Sequence, residues 1–176
     1  MTVERLDELL SVERLDASDD VAVTIAEVLH EAQGVVLADE RANPEHHGMG
    51  TTAVVVHVAP DRATVANLGD SRCYLMRRDE FAQVTVDHVW TSPFGRSLTQ
   101  AIGSSDGIEP ELFEVTLEPG DRILLCTDGL TDMVEDPDIA AVLGGAASAQ
   151  AAADGLVEAA LERGGRDNVT VVVAIV

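Results

Sequence analysis

The sequence predicts one α+β domain in which helices pack on antiparallel sheets, and three observations carry that prediction. Apolar residues recur at helical spacing near both ends, and β-branched runs of strand length fill the middle. The order runs helices, strands, helices, strand, rather than the strict strand–helix alternation of a parallel sheet. A length of 176 residues suits a single domain, 1–176, with a sizeable core.

Taken in order, Val3, Leu6, Leu9 and Leu10 predict a first helix over 3–10. The stretch "DASDD" (16–20) breaks it and offers N-cap side chains for a second. From Val21 to about Asp39 the stripe Val21, Ile25, Val28, Leu29, Ala32, Val36 predicts that second helix, closed by "ERANPEHHGMG" with its proline and glycines. "TTAVVVHVA" (51–59), "ATVANLG" (63–69), "CYLMRR" (73–78) and "FAQVTV" (81–86) read as four strands of an antiparallel meander joined by short polar turns. "ELFEVTLEPGDRILLCT" (111–127) reads as a hairpin turning at "EPGD", its second strand the more buried. Helices are expected over 137–143 and 148–162, and "NVTVVVAIV" ends the chain as a closing strand. There is no internal repeat, low-complexity segment or linker.

Composition narrows the function classes. Hydrophobic residues make up 46% and charged residues 24%, as in ordinary globular proteins. The N-terminus lacks the apolar core of a secretory signal, and no apolar run approaches the roughly 20 residues of a spanning helix, so a cytoplasmic location is expected. Cys73 and Cys126 each lie inside a strand-like run and read as buried thiols. Against 32 Asp+Glu stand 11 Lys+Arg, a net charge of −21 that disfavours nucleic acid and anionic membrane as partners. Most of these acids read as plain hydrated surface.

Four corners marked by glycine or acid remain: "GMGTT" (48–52), "NLGDSR" (67–72), "CTDGL" (126–130) and "GGRDN" (164–168). Asp70, Asp128 and Asp167 fall where strands meet loops. Taken singly, Gly-Asp and Asp-Gly are turn dipeptides. Gathered at sheet ends, three carboxylates would suit a hard cation that takes oxygen donors and keeps several waters. Asp132, four residues past Asp128, reads as a capping or surface acid. His46 and His47 read as exposed loop side chains, and Trp90 and Phe94 as local packing.

The order and wording of "GMGTTAVVV", "VANLGDSRCYL", "SLTQAIG", "LEPGDRILLCTDGLTDMV" and "GGRDNVTVVV" resemble the metal-dependent protein serine/threonine phosphatases, the type 2C (PPM) family, over roughly residues 21–176. The resemblance implies a β-sandwich of antiparallel sheets flanked by helix pairs. It also implies a Mn²⁺ or Mg²⁺ centre at which a metal-activated water attacks a phosphoprotein. Asp128 matches the family's metal-binding Asp in its Asp-Gly motif and Asp167 the ligand of its Asp-Asn motif. Asp70 matches the acid that helps hold an additional metal in bacterial members. Gly48, Gly50 and Thr51 match a structural turn.

Two departures shape the expectation. The family's Arg-containing first strands and its Asp-Gly-x-Gly-Gly, whose Asp bridges two metals and whose strands fill the sheets, have no counterpart before residue 48. The flap between the Asp-His pair and the Leu-Thr-Gln stretch is short, "VWTSPFGRSL", which bears on the role of Asp70. The expected protein is therefore a PPM-like sandwich without its N-terminal strands, holding a divalent ion weakly in at most a partial site, and weakly active or inactive. The alternatives are a pseudophosphatase that docks a phosphoprotein or a Ser/Thr kinase, and a piece of a longer chain. An exposed edge beside the closing strand, with self-association through it, is expected.

Overall fold

The computed structural model describes residues 11, 15, 20–93 and 95–176; the helix expected over 3–10, and Phe94, lie outside the described residues. Two compact units form, one from the described residues up to Gly69 with His88–Val115, the other from Asp70–Asp87 with Thr116–Val176.

In the first unit, helix α1 (Val21–Ala42) begins where the cap was expected: an Asp20 carboxylate oxygen accepts from the Val23 N–H at 3.2 Å. It ends at Asn43, since a residue before proline is pushed out of helical dihedrals. By length and composition alone α1 could cross a membrane, which corrects the expectation that no segment comes near that length. Its buried stripe (Ile25, Val28, Leu29, Ala32, Gln33) marks it instead as a core helix, with Ile25, Leu29 and Ala32 packed among Ala66, Leu68, Ile102 and Ile108. Strand β1 (Ala53–Val58) pairs antiparallel with β2 (Arg62–Leu68), from Ala53 opposite Leu68 to Val58 opposite Ala63. All of β2 beyond Arg62 is buried, a pattern that calls for a strand on either side, and β7 (Glu111–Thr116) supplies the second. The short flap forms a two-stranded ribbon, β5 (Val89–Ser92) with β6 (Gly95–Leu98). Trp90 is 61% exposed there, not locally packed as expected: among the described residues β5 pairs with β6 alone, and Trp90 faces Ser97 across the ladder.

In the second unit four antiparallel strands run in the order β4-β3-β8-β9, with β3 at Arg72–Arg77, β4 at Glu80–Gln83, β8 at Arg122–Cys126 and β9 at Val171–Ile175. Helices α2 (Asp128–Thr131), α3 (Asp136–Gly145) and α4 (Ala149–Glu162) follow β8. The Ser148 hydroxyl caps α4 by accepting from the Ala151 N–H at 3.1 Å. Tyr74, Leu124, Cys126, Leu130, Ile139, Leu143 and Leu156 close one core beneath these helices. Phe81 stacks on Tyr74 with ring centroids 4.7 Å apart. Cys126 pairs across the ladder with Arg72 and Cys73 with Leu125, so the two thiols point to opposite faces of the sheet. Both are free and buried as expected, and burial pushes each thiol up to about 12.

Two strand pairings differ from the sequence reading. The meander is two separate hairpins, β1–β2 and β3–β4, in different sheets. The segment 111–127 is not a hairpin at all: β7 joins β2, while β8 lies between β3 and β9. The reason is burial and polar bonding. On β8, Ile123 and Leu124 are buried on opposite faces, which suits an interior strand, whereas Glu111 and Glu114 of β7 are exposed, which suits an edge. The "EPGD" turn is also tied elsewhere. Gly120 N–H donates to the Val176 carbonyl at 2.8 Å, and Val176 N–H to the Asp121 carbonyl at 2.9 Å. The Asp121 carboxylate, 1% exposed as a residue, accepts from Arg77 Nη2 at 2.7 Å and from Glu118 N–H at 2.8 Å. Those bonds, the Arg77 guanidinium first, hold Asp121 below the usual carboxylate range.

Candidate functional site

The second unit brings two of the acidic corners together at one end of its sheet. Strands β8 and β9 pair from Arg122 opposite Ile175 to Cys126 opposite Val171. The chain just past the end of β8 therefore meets the chain just before the start of β9. Thr127 fastens the junction: its N–H donates to the Thr170 carbonyl at 3.1 Å, its hydroxyl donates to the Asn168 carbonyl at 3.3 Å, and it accepts from Thr170 N–H at 3.1 Å. Asp128 follows as the first residue of α2 and is half-buried. Gly129 then passes so close to the neighbouring loop that a Cβ there would lie 2.2 Å from the Asn168 carbonyl oxygen. On the other side of the junction Asp167 is exposed, one carboxylate oxygen accepting from the Asn168 N–H at 2.7 Å.

A cleft of about 300 Å³ opens beside this junction, lined by Gly129, Asp132, Met133, Arg166 and Asp167. Asp132 does what the sequence predicted, ending α2 as its C-cap at an exposed position, and in addition it faces the cleft that Asp167 faces. Asp70 lies at the same end of the sheet, between Gly69 and β3, whose Arg72 pairs with Cys126 of β8; it is half-buried and has a polar partner of its own.

Beside Asp70 is a network that sequence reasoning missed. Arg72 grips Asp87 with two parallel bonds, Nε to one oxygen and Nη2 to the other, each 2.8 Å. Its Nη1 donates to the Tyr74 hydroxyl at 2.9 Å, and that hydroxyl donates to Asp136 at 3.0 Å, while Gln83 donates to Asp87 at 2.9 Å. The Asp87 carboxylate raises the affinity of Arg72 for its proton, and burial raises that of the Tyr74 hydroxyl. The available signal was the arginine of "GDSR" and the acid of "DH", both present but fifteen residues apart with nothing in the pattern to pair them. His46 and His47 are exposed, as expected, and pair with Asp39 at 2.5 Å and Glu40 at 2.8 Å.

For a hard divalent ion the donor chemistry at the Asp128–Asp167 junction is right and the donor number is short. Among the described residues no group of three or more His, Cys, Asp or Glu side chains could hold a metal. The three candidate acids thus do not gather into one cage, and the junction offers two carboxylates.

Comparisons with known proteins place this arrangement in context. The profile of the Stage II sporulation protein E (SpoIIE) family matches residues 7–176. A serine/threonine phosphatase, stp, of Listeria innocua is 28% identical over 170 residues, 88% of this chain and 68% of its own length. The serine/threonine protein phosphatase PstP of Mycobacterium tuberculosis is 34% identical over 170 residues, of which this chain spans 33% of the length. The crystal structure of the catalytic domain of PstP in complex with two manganese ions superposes with a TM-score of 0.80 at 31% identity, covering 98% of this chain and 80% of that one. The fold described above, antiparallel sheets with a few flanking helices, is the fold of those phosphatases.

Proposed function

Since the chain belongs to the SpoIIE family of PPM-type metal-dependent serine/threonine phosphatases, we propose that it is a phosphoprotein phosphatase-like domain in which Asp128 and Asp167 hold one divalent ion weakly. The observation that supports this most directly is the β8–β9 junction, where Thr127 and Gly129 bring the chain bearing one acid against the chain bearing the other. Mn²⁺ or Mg²⁺ suits two carboxylates completed by water, and when bound such an ion supplies charge neutralisation for a phosphoryl group and acidifies a water. The chain's own contribution is positional. Close packing at Gly129 fixes where Asp128 starts, the Asn168 N–H orients Asp167, and the Arg72–Asp87 grip holds the turn that carries Asp70.

We propose slow turnover, because two carboxylates make a poor cage for either ion. The same shortage favours a second reading, a pseudophosphatase that docks a phosphoprotein or a Ser/Thr kinase without hydrolysing it. Two measurements separate the readings. Calorimetric titration with Mn²⁺ should show a weak site that Asp128→Asn abolishes, and a site indifferent to that change would refute the assignment of Asp128. Mn²⁺-dependent hydrolysis of p-nitrophenyl phosphate by the 176-residue chain, slow and lost in Asp128→Asn, supports the enzyme; binding of a serine phosphopeptide without turnover supports the docking module.

A further inference from the structure

The cleft beside the junction holds an arginine, Arg166, whose side chain makes no hydrogen bond or ion pair among the described residues. Every Lys+Arg position in the sequence is an arginine, and in a chain of net charge −21 nearly every described one is occupied. Arg62 bonds Asp61, and Arg72 grips Asp87. Arg77 and Arg78 meet Asp121 and Glu118, and Arg163 meets Asp138. Arg122 caps helix α3 through the Leu143 and Ala146 carbonyls. Among the described residues only the side chains of Arg41, in the last turn of α1, and Arg166 make no hydrogen bond or ion pair. Arg166 differs from Arg41 in lining a cavity, the 300 Å³ cleft that it shares with Asp132 and Asp167. Arg166 is exposed, so its guanidinium, beside two carboxylates, is open to an anion from outside the chain.

We propose that Arg166 receives the phosphoryl group of a phosphorylated side chain, as the substrate-binding residue of this cleft. The inference rests on the phosphatase-like reading above and adds to it a group that contacts substrate from the C-terminal side of the junction. The chemistry fits the ligand. A planar fork of N–H donors matches two oxygens of a phosphoryl dianion, which a rotating ammonium does less well. Placement fits too, since Arg166 immediately precedes Asp167 and follows Gly164 and Gly165, both in left-handed backbone (φ +116° and +48°), which sets the loop where it borders the cleft. The carboxylates of Asp132 and Asp167 repel the same dianion, so Arg166 confers selectivity for where the phosphoryl group docks rather than tight binding.

The test titrates the metal-free chain, in chelator and at constant ionic strength, with inorganic phosphate and then with a serine phosphopeptide and its unphosphorylated form. The arginine Nε–H resonances and calorimetry report binding. Arg166→Ala should weaken both phosphate and phosphopeptide by about tenfold, the loss expected when one charge-assisted pair of bonds is removed. Arg166→Lys should restore part of it, and Arg163→Ala, which removes the same charge from the neighbouring ion pair, should change nothing. A phosphate response without a phosphopeptide response overturns the substrate role. Equal losses in Arg163→Ala and Arg166→Ala, or none in either, overturn the site itself. Hydrolysis of p-nitrophenyl phosphate separates this from the parent reading. An Arg166-dependent affinity in a chain with no turnover leaves this site standing and sinks catalysis. Turnover with KM unchanged in Arg166→Ala does the reverse; a raised KM at nearly constant kcat supports both.

Discussion

Replacing Gly129 by alanine tests whether the β8–β9 junction is as tight as its geometry requires. The added Cβ would sit 2.2 Å from the Asn168 carbonyl oxygen and 2.9 Å from its carbon, both backbone atoms that cannot swing aside like a side chain. A carbon–oxygen contact relaxes only beyond about 3.3 Å, so α2 and the 168 loop must part by about 1 Å. That displacement falls on the Thr127 N–H bond to Thr170 and the Thr127 hydroxyl bond to Asn168, at 3.1 and 3.3 Å. Losing two such bonds costs about 1–3 kcal/mol net, and forcing an extra carbon into a packed site costs a similar amount. A total near 3 kcal/mol would lower Tm by roughly 6–12 °C in a chain of this size. Thermal unfolding followed by circular dichroism, with Gly120→Ala as a variant whose Cβ would meet open space, measures it. Gly120 itself has φ +94°, so that variant carries a backbone cost of about 1 kcal/mol but no clash. A Tm for Gly129→Ala equal to or above that of Gly120→Ala would show that the close approach is not a constraint, and with it the positional argument for Asp128 would fall.

Two further outcomes follow from the polar interior. Arg72→Ala leaves the Asp87 carboxylate, 14% exposed, without its grip, and denaturant titration should show a loss of about 3 kcal/mol; replacing Asp87 by Asn as well should cost less than the two single losses added together, and strict additivity would dissolve the network. Asp121 is held below its ordinary value of 3.8 by Arg77, so its contribution to stability is complete above that value and is lost as pH falls through the depressed folded one; urea midpoints between neutral pH and strong acid should fall less steeply in Asp121→Asn, and parallel curves would refute the assignment.

How much of this was legible beforehand divides along a physical line. Local features came through: the Asp20 cap, the α1 stripe, the run of α4 and every strand except the flap pair β5–β6 are written in neighbouring residues, where spacing and capping decide. That Asp128 and Asp167 stand where strands meet loops was legible too, because a motif of adjacent residues marks those corners. What failed was pairing at a distance. The 111–127 segment has every local sign of a hairpin, yet Asp121 is claimed by Arg77 and the turn by Val176, contacts that sequence periodicity does not register. The Arg72–Asp87–Tyr74–Asp136 chain was hidden for the same reason, its members drawn from β3, the segment after β4 and helix α3. Arg166 was passed over as one more letter in "GGRDN"; it stands out only beside the described arginines that hold partners, such as Arg62, Arg72, Arg77 and Arg163.

Strand β9 has a consequence for how long the acidic junction persists. Among the described residues it is the edge of its sheet, with Val172 57% and Ile175 42% exposed, while β8 beside it is largely buried. Backbone protection in such a sheet is graded, deepest at interior strands and shallowest at an edge with few apolar contacts. The loop 164–170 that carries Arg166 and Asp167 is held by β9 on one side and by Thr127 on the other. Local fraying of β9 would therefore release that loop while the β3–β8 core stayed folded. The lifetime of the assembled cleft is set by this partial opening, an event with its own free energy, and can be much shorter than the lifetime of the fold.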